Sequence, residues 1–150
     1  MRHNVEANCL GAVCSVEELD WAGCRQGQAP CKLARRQFDT VIAGDVLYSS
    51  RLAGPFLGAV LCHLREGGLL LLGHQVRHAV YLCRETGQAR VESEDEPLED
   101  FRRMSRDLGF VERALRRQET APLERRSPTD GPALLLAFSR DELALGRLPG

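Results

Sequence analysis

The stretch Phe38–Tyr48, FDTVIAGDVLY, decides the fold expected for this chain. Its first half is an apolar, β-branched run that ends abruptly at Gly44. A short apolar run bounded by a turn signal predicts a buried strand that is covered on both faces, as in parallel α/β sheets. Such sheets hold their ligands at the carboxyl ends of the strands. Asp45 and Tyr48, which follow the strand directly, are therefore the first candidate site residues.

The residues after this strand predict a helix and a second strand. Pro55 suits the first position of a helix, because a proline there lacks only a hydrogen that would be unpaired anyway. The helix has one apolar face at helical spacing, made of Phe56, Leu57, Val60, Leu61 and Leu64. Gly67 and Gly68 are expected to end it, and Leu69–Leu72 is an apolar run of strand length. Strand, helix and strand predict a parallel pair joined by a right-handed crossover.

The flanking segments complete the predicted order of elements. Upstream, the predictions are the end of a helix at Met1–Asn8, a strand at Ala12–Leu19 and a loop at Ala22–Gln37. Downstream, the first prediction is a short helix at His74–Arg84. A second helix follows, with an apolar stripe at Leu98, Phe101 and Leu108, and Gly109 ends it. The last predictions are strands at Phe110–Leu115 and Ala133–Phe138, joined by a turn at Arg116–Pro132, and a frayed tail at Ser139–Gly150. The acidic run Glu92–Glu96 favours the positive end of the second of these helices.

Composition excludes several functional classes. The chain has 150 residues, 43% of them hydrophobic and 27% charged, which is typical of one globular domain. Its net charge of −1 argues against a protein held to nucleic acid by bulk electrostatics. The sequence has no run of about 18 apolar residues and no amino-terminal secretory signal, so neither a membrane span nor secretion is expected. An intracellular protein is expected, located in the cytoplasm and with a nuclear location also open.

The cysteines and histidines form no recognisable metal-binding pattern. The six cysteines are scattered, with no CxxC pair, and in an intracellular protein they are expected to be reduced thiols. His74 and His78 lie four residues apart and would share one face of a helix. The pair lacks the intervening acid of the HExxH pattern and a third ligand nearby. No metal site is expected, and both are interpreted as surface or supporting histidines.

Four short motifs carry a resemblance to a known family. They are NVEAN at Asn4–Asn8, LDW at Leu19–Trp21, AGDVLY at Ala43–Tyr48 and LGF at Leu108–Phe110. In this order and at about this separation, they resemble the seven-strand, S-adenosylmethionine-dependent methyltransferases, and among them the protein-lysine methyltransferases of methyltransferase family 16. The resemblance spans nearly all of the chain, and it implies an α/β, Rossmann-like class I methyltransferase fold.

One part of the family's pattern is absent from the sequence. The family has a glycine-rich loop after its first strand, which holds the methionine end of the cofactor, and an acid after its second strand, which holds the ribose. This sequence has no GxGxG and begins inside the helix that should follow the second strand. The resemblance therefore implies an incomplete fold, in which residues 1–150 are the carboxy-terminal part of one methyltransferase domain. Unpaired strand edges and marginal stability are expected.

The resemblance assigns roles to four residues. On the cofactor side, Trp21 would pack on the adenine ring, and Gly44 would let the cofactor approach the backbone closely. On the substrate side, Asp45 would place a cationic lysine amine and Tyr48 would orient it. The residues alone leave simpler interpretations open. Trp21 could belong to the core and Gly44 to a turn, and an aspartate at a strand end is commonly a turn or cap residue.

The implied reaction is a direct displacement, in which a neutral amine attacks the methyl group of S-adenosylmethionine in line. The protein's task is then to align and desolvate the amine, and the expected partner is a protein that presents a lysine. Because part of the cofactor site is missing, cofactor binding by this chain is expected to be weak or absent and activity impaired. Two alternatives stay open, a non-catalytic interaction remnant and a small-molecule methyltransferase on the same fold.

Overall fold

A computed structural model describes residues 1–21, 23–24, 36–78, 80–91, 94–118 and 130–148. In chain order the elements are α1 (Arg2–Ala7), β1 (Phe38–Gly44), α2 (Ser50–His63), β2 (Leu64–Arg77), β3 (Val80–Leu82), β4 (Ala89–Val91), α3 (Glu96–Asp107), β5 (Val111–Gln118), β6 (Asp130–Ser139) and α4 (Glu142–Gly146). This mixture of helices and strands is that of an α/β chain. None of the helices in these ranges has the length and apolar character that crossing a membrane requires.

A four-stranded sheet forms the centre of the described structure, in the order β1-β2-β6-β5. β1 and β2 run parallel, with Val41 opposite Leu70, and α2 connects them. β6 runs antiparallel to both of its neighbours, with Phe138 opposite Leu70 of β2 and Glu112 of β5. β3 and β4 form a separate antiparallel hairpin. The predicted parallel pair is thus confirmed, and the last strand of the chain lies between β2 and β5.

One face of the sheet packs against α2 and α3. On β2, Leu70 and Leu72 are fully buried on the same face, because successive side chains of a strand point to opposite faces. Phe101 of α3 lies between Phe56 of α2 and Phe138 of β6, with ring-centroid distances of 5.5 and 5.3 Å. Burial of each such side chain contributes roughly 1.5 to 3 kcal/mol. These contacts hold both helices on the sheet.

α3 is the predicted helix that carries an apolar stripe. Leu98 and Phe101 are buried, whereas Leu108 is half-exposed at the carboxyl cap. Gly109 follows with a φ of +80°, a conformation that glycine adopts readily, and so ends the helix as predicted. Asp95 caps the amino end by accepting a hydrogen bond from the backbone N–H of Leu98.

β1 is an exposed strand and is not covered on both faces. Val41 and Ala43 pack against the core, but Ile42, on the opposite face, is 77% exposed. Within the described ranges, β2 is the only strand that pairs with β1. The prediction of a doubly covered strand is therefore wrong, because an apolar run does not reveal whether a second layer lies against it.

The prediction of a strand at Ala12–Leu19 is also wrong. Residues 11–13 form a turn, and residues 14–20 have no regular structure. Every side chain of the predicted strand is exposed except those of Val16 and Leu19, which are half-buried. A strand needs a neighbour that receives its hydrogen bonds, and no described strand lies beside this segment. Most of the predicted loop at Ala22–Gln37 lies outside the described residues.

α2 and β2 meet without a loop, which differs from the predicted boundaries. α2 begins before Pro55, which therefore lies inside the helix. The helix ends at His63 and β2 begins at the next residue, so Gly67 and Gly68 lie within the strand. Gly67 has a φ of +69°, and a Cβ on Gly68 would lie 2.9 Å from the carbonyl oxygen of Arg65. The glycines thus permit an irregular part of the strand, where its register with β1 shifts, and do not stop the helix.

The prediction of a helix at His74–Arg84 is wrong, because pairing with β6 continues β2 as far as Arg77. A short pattern of polar and apolar residues fits a helix as well as a strand, so the backbone hydrogen bonds across the sheet determine that these residues form a strand. The predicted frayed tail at Ser139–Gly150 contains a short helix, α4. Asp141 caps its amino end and Leu145 is buried, so this segment is docked on the domain.

The other predicted elements are present. α1 lies within Met1–Asn8, β5 contains most of Phe110–Leu115, and β6 contains all of Ala133–Phe138. Both ends of the turn predicted at Arg116–Pro132 are strand, because β5 extends to Gln118 and β6 begins at Asp130. Residues 119–129, between those strands, lie outside the described ranges.

Candidate functional site

The carboxyl end of β1 brings Asp45 to the edge of the sheet. Its backbone N–H donates to the carbonyl of Gly73 on β2 at 2.8 Å, which continues the pairing of the two strands by one residue. Asp45 has a φ of +53°, in the left-handed region that aspartate tolerates better than most residues. A non-glycine residue held in this conformation stores about 1 to 3 kcal/mol of strain, a feature concentrated at functional sites.

Asp45 forms an ion pair with Arg77, at the end of β2. Nη2 of Arg77 donates to Oδ2 of Asp45 at 2.5 Å, and the two side chains are 41% and 50% exposed. The hydrogen bond from Arg77 is the main cause that lowers the pKa of the Asp45 carboxyl, against an opposing effect of burial. Asp45 is therefore an ionised, partly solvated carboxylate that is paired with a guanidinium.

Arg77 is held in turn by Asp95, a buried carboxylate that was not among the residues predicted for the site. Its Oδ2 accepts hydrogen bonds from the backbone N–H of Arg77 at 2.7 Å and from Nε2 of His74 at 2.8 Å. Burial raises the pKa of Asp95, but these hydrogen bonds and the one from Leu98 outweigh it, so the pKa lies below its ordinary value. The signal in the sequence is an aspartate two residues before Pro97 and ahead of an apolar stripe, which is a helix-capping pattern.

His74 is a buried residue of β2 and not a surface histidine on a helix. Its side chain is 0% exposed, and its residue lies opposite Leu134 of β6. Nε2 contacts the carboxylate of Asp95, while Nδ1 has no hydrogen-bond partner among the described residues. Both side chains are buried, so this pair supports the end of β2 from within the structure.

Four of the described cysteines, Cys9, Cys14, Cys62 and Cys83, are free thiols, and Cys31 lies outside the described residues. In the part of the chain that the structure describes, no three His, Cys, Asp or Glu side chains are grouped so that they could hold a metal ion.

An apolar cavity of about 460 Å³ runs along the edge of β1 that is not paired with β2. Residues of β1 and α2 form most of its lining, together with Trp21. The Trp21 ring lies 5.2 Å from that of Phe56, centroid to centroid. Small-molecule sites are typically apolar cavities of about 300 to 1,000 Å³. Gly44 also lines this cavity, so the two residues predicted to face a cofactor share one concave surface.

The four predicted site residues fall into two groups. Trp21 and Gly44 line the cavity, whereas Asp45 and Tyr48 lie between β1 and α2, outside that lining. Tyr48 is 67% exposed, while Leu47 beside it is buried and anchors the turn in the core. Trp21 is half-buried and also packs against the core, which is compatible with both a structural and a ligand-facing role.

Comparison with known proteins finds likeness in structure alone, since no protein-family model and no curated protein matches the sequence. A solved protein from Pyrococcus horikoshii, provisionally described as a transferase, matches with a TM-score of 0.52 and 15% identity, over 93% of this chain and 44% of that chain. Precorrin-6y C5,15-methyltransferase from Geobacter metallireducens GS-15 matches with a TM-score of 0.46 and 13% identity, over 92% of this chain and 60% of that chain.

The chain thus spans less than two thirds of the length of either solved structure. At such low identity, a likeness in structure concerns the fold and leaves the activity to be argued from the site. The Pyrococcus likeness and the order of the sheet confirm the predicted fold class: the described part of the chain is α/β and Rossmann-like.

Proposed function

We propose that this chain is part of an S-adenosylmethionine-dependent protein-lysine N-methyltransferase. The observation that carries the proposal is that Trp21 and Gly44 line one apolar cavity, and that Asp45 follows Gly44 at the carboxyl end of β1. Ligands of open α/β sheets bind at this end of the strands. The resemblance of the AGDVLY motif and the fold shared with a transferase support the same proposal.

The cofactor side of the proposed site is the wall that contains Trp21 and Gly44. The indole offers a flat apolar surface on which a purine can stack. A Cβ built on Gly44 meets no described atom within 4 Å, so the backbone there is open to a ligand. The cavity of about 460 Å³ has room for an adenosyl group. These residues fit the cofactor, which when bound supplies a methyl group on a sulfonium sulfur.

The substrate side of the proposed site consists of Asp45 and Tyr48. The lowered pKa of Asp45 keeps it ionised, so it can hold the ammonium of a lysine until the amine loses its proton. The exposed phenol of Tyr48 can accept a hydrogen bond from the amine and orient its lone pair. Alignment of the neutral amine is the main catalytic task in such a displacement. The proposed partner is therefore a protein that presents a lysine side chain.

Weak cofactor binding and impaired activity are part of the proposal. The 150 residues contain no glycine-rich loop like that of the family they resemble, and Trp21 and Gly44 form the one wall of the cofactor site assigned among them. A cytoplasmic location, with a nuclear one in addition, is also proposed, because Cys9, Cys14, Cys62 and Cys83 are free thiols, as is usual in reducing compartments.

A non-catalytic interaction remnant of the same fold is the second candidate. The exposed outer face of β1 favours it, because Ile42 is 77% exposed on a strand whose second edge pairs with no described strand. Such edges pair readily with other chains. A small-molecule methyltransferase is the third, since a fold does not determine its substrate. Transfer of a labelled methyl group distinguishes the three candidates: the label goes to protein lysine for the first, to no acceptor for the second and to a small molecule for the third.

Cofactor binding by two variants tests the cofactor side. Trp21→Ala should weaken binding of S-adenosylmethionine roughly 5- to 150-fold, because stacking on an aromatic platform contributes about 1 to 3 kcal/mol. Asp45→Asn should bind the cofactor as the wild type does. Saturation-transfer NMR at millimolar cofactor measures both, with circular dichroism to verify folding. If Trp21→Ala binds the cofactor as tightly as the wild type, the stacking role of Trp21 is wrong. If the wild-type dissociation constant lies in the low micromolar range, the proposal of weak cofactor binding is wrong.

Transfer of a labelled methyl group tests the substrate side, in a form of the protein that also contains the glycine-rich loop of the family it resembles. With cell-extract proteins as acceptors, the label is expected on lysine, and Asp45→Asn should lower the rate roughly ten- to a thousandfold through lost positioning. A fully active Asp45→Asn protein, or label found only on small molecules, would show that the protein-lysine assignment is wrong.

A further inference from the structure

The contact between Asp45 and Arg77 affects how a cation can bind at the proposed substrate side. Nη2 of Arg77 lies 2.5 Å from Oδ2 of Asp45. A lysine ammonium held by Asp45 needs the same carboxylate, and a carboxylate already paired with one cation attracts a second less strongly. The guanidinium of the chain and the ammonium of a substrate therefore compete.

The main chain keeps Arg77 near Asp45. The backbone N–H of Arg77 donates to the buried carboxylate of Asp95 at 2.7 Å. The backbone N–H of Asp45 donates to Gly73, on the same strand as Arg77, at 2.8 Å. Both partners of the ion pair are thus anchored to β2, which keeps the guanidinium within reach of the carboxylate.

Both side chains of the pair are partly open to solvent: that of Arg77 is 41% exposed and that of Asp45 is 50% exposed, while Nη1 of Arg77 is buried. Ion pairs with this degree of exposure are weak and exchange partners readily. A substrate ammonium can therefore displace the guanidinium, whereas a fully buried pair would resist such exchange.

We propose that Arg77 is a specificity-determining residue of this site, an internal cation that a substrate lysine must displace from Asp45. The inference rests on the proposed function, because it requires that Asp45 hold the substrate amine. Arg77 then disfavours isolated cationic side chains and favours a lysine whose own protein makes further contacts. Its removal should strengthen binding of a simple ammonium about two- to fivefold, the scale of an exposed ion pair.

An NMR titration of the folded chain tests this proposal. The probe is Nα-acetyl-lysine methylamide, and the neutral control ligand is the norleucine analogue, which has a similar side chain without the charge. Arg77→Gln removes the guanidinium but keeps the backbone N–H that donates to Asp95. Arg65→Gln is the matched control, because Arg65 pairs with Asp39 at 2.5 Å near the other end of the same two strands.

Arg77→Gln should bind the lysine probe about two- to fivefold more tightly than the wild type, whereas Arg65→Gln should not. The norleucine analogue should show no difference between the proteins. The ¹³C signal of the Asp45 carboxyl should report probe binding, and the pKa of Asp45 should rise in Arg77→Gln because its main cause of lowering is gone. Arg77→Lys, which retains a charge, should restore binding toward the wild-type value.

Two outcomes separate this inference from the proposed function. If Arg77→Gln binds the probe no more tightly than the wild type while Asp45→Asn loses binding, competition by Arg77 is wrong but the substrate side stands. If Asp45→Asn binds the probe as well as the wild type, the role of Asp45 is wrong and the inference fails with it. Arg77→Met is a second neutral variant, for use if Arg77→Gln does not fold.

Discussion

At the scale of single residues, Asp95 connects more of the described structure than any residue predicted for the site. Its carboxylate accepts hydrogen bonds from Leu98 at the start of α3, from the backbone of Arg77 and from the buried ring of His74. One side chain thus joins a helix, a strand end and a core histidine. Removal of a buried acceptor with several partners leaves donors without partners, which is more costly than losing one exposed hydrogen bond.

Asp95→Ala should lower the free energy of unfolding by roughly 2 to 4 kcal/mol, through a lost helix cap and unpaired buried donors. Asp141→Ala is the matched control, because Asp141 caps the short helix α4 with an exposed hydrogen bond from Leu143. The free energy of unfolding of this control should fall by about 1 kcal/mol or less. Urea unfolding followed by circular dichroism measures both. Equal losses would show that the partners of Asp95 beyond the cap contribute nothing.

The acid dependence of unfolding is a second readout of the same pair of variants. The pKa of folded Asp95 lies below its ordinary value of 3.8, so its ionised form stabilises the fold fully above that value. This contribution is lost as the pH falls from about 4 through the folded pKa. Asp95→Ala should therefore lose less stability in acid than the wild type. An unchanged slope below about pH 4 would contradict the hydrogen bonding assigned to Asp95.

At the scale of elements, β1 has a different environment from the one its sequence predicts. Its apolar run fits a strand inside a sheet, but only Val41 and Ala43 face the core, and Ile42 faces outward. An exposed apolar edge strand offers unpaired backbone groups to any other extended chain. β1 is therefore the element through which association between chains is expected.

Ile42→Lys should suppress aggregation while changing the free energy of unfolding by no more than about 0.5 kcal/mol, because a charge on an edge strand opposes pairing between chains. Leu143→Lys is the matched control: Leu143 is 72% exposed, against 77% for Ile42, but it lies on a helix. Light scattering during heating measures both. Equal suppression by the two variants would show that added charge matters and the strand edge does not.

At the scale of the whole molecule, stability is expected to be distributed unevenly. β2 and β6 each pair with strands on both sides. Residues 2–20 contain one short helix and no buried side chain. Trp21, which packs on Phe56, is where this segment meets the core. The amino-terminal segment should therefore open without unfolding the sheet.

Amide hydrogen exchange should give opening free energies near zero for residues 2–20, because few contacts hold them. The opening free energies should approach the free energy of global unfolding in two segments that are central in the sheet, Leu70–Gly73 of β2 and Leu134–Phe138 of β6. Exchange of the urea-unfolded chain supplies the reference rates. Uniform strong protection from residue 2 onward would show that the first segment is part of the cooperative core.

The candidate site could be predicted from the sequence only where its residues are neighbours along the chain. Gly44 and Asp45 follow an apolar strand directly, so a local pattern identifies them. Arg77 lies 32 residues from Asp45, and Asp95 lies 18 residues beyond Arg77. No spacing rule connects such residues, because it is the pairing of β1 with β2 and the capping of α3 that bring them together.

The sequence by itself determined the order of the main strands and of α3, because apolar periodicity and turn residues act over a few neighbouring positions. The strands around Val41, Leu69–Leu72 and Ala133–Phe138 are all present. Only the tertiary structure decided that His74 belongs to a strand, that β1 is an edge among the described strands and that Asp45 is paired with Arg77. These features depend on strand pairing and burial, which are set by residues distant in the chain.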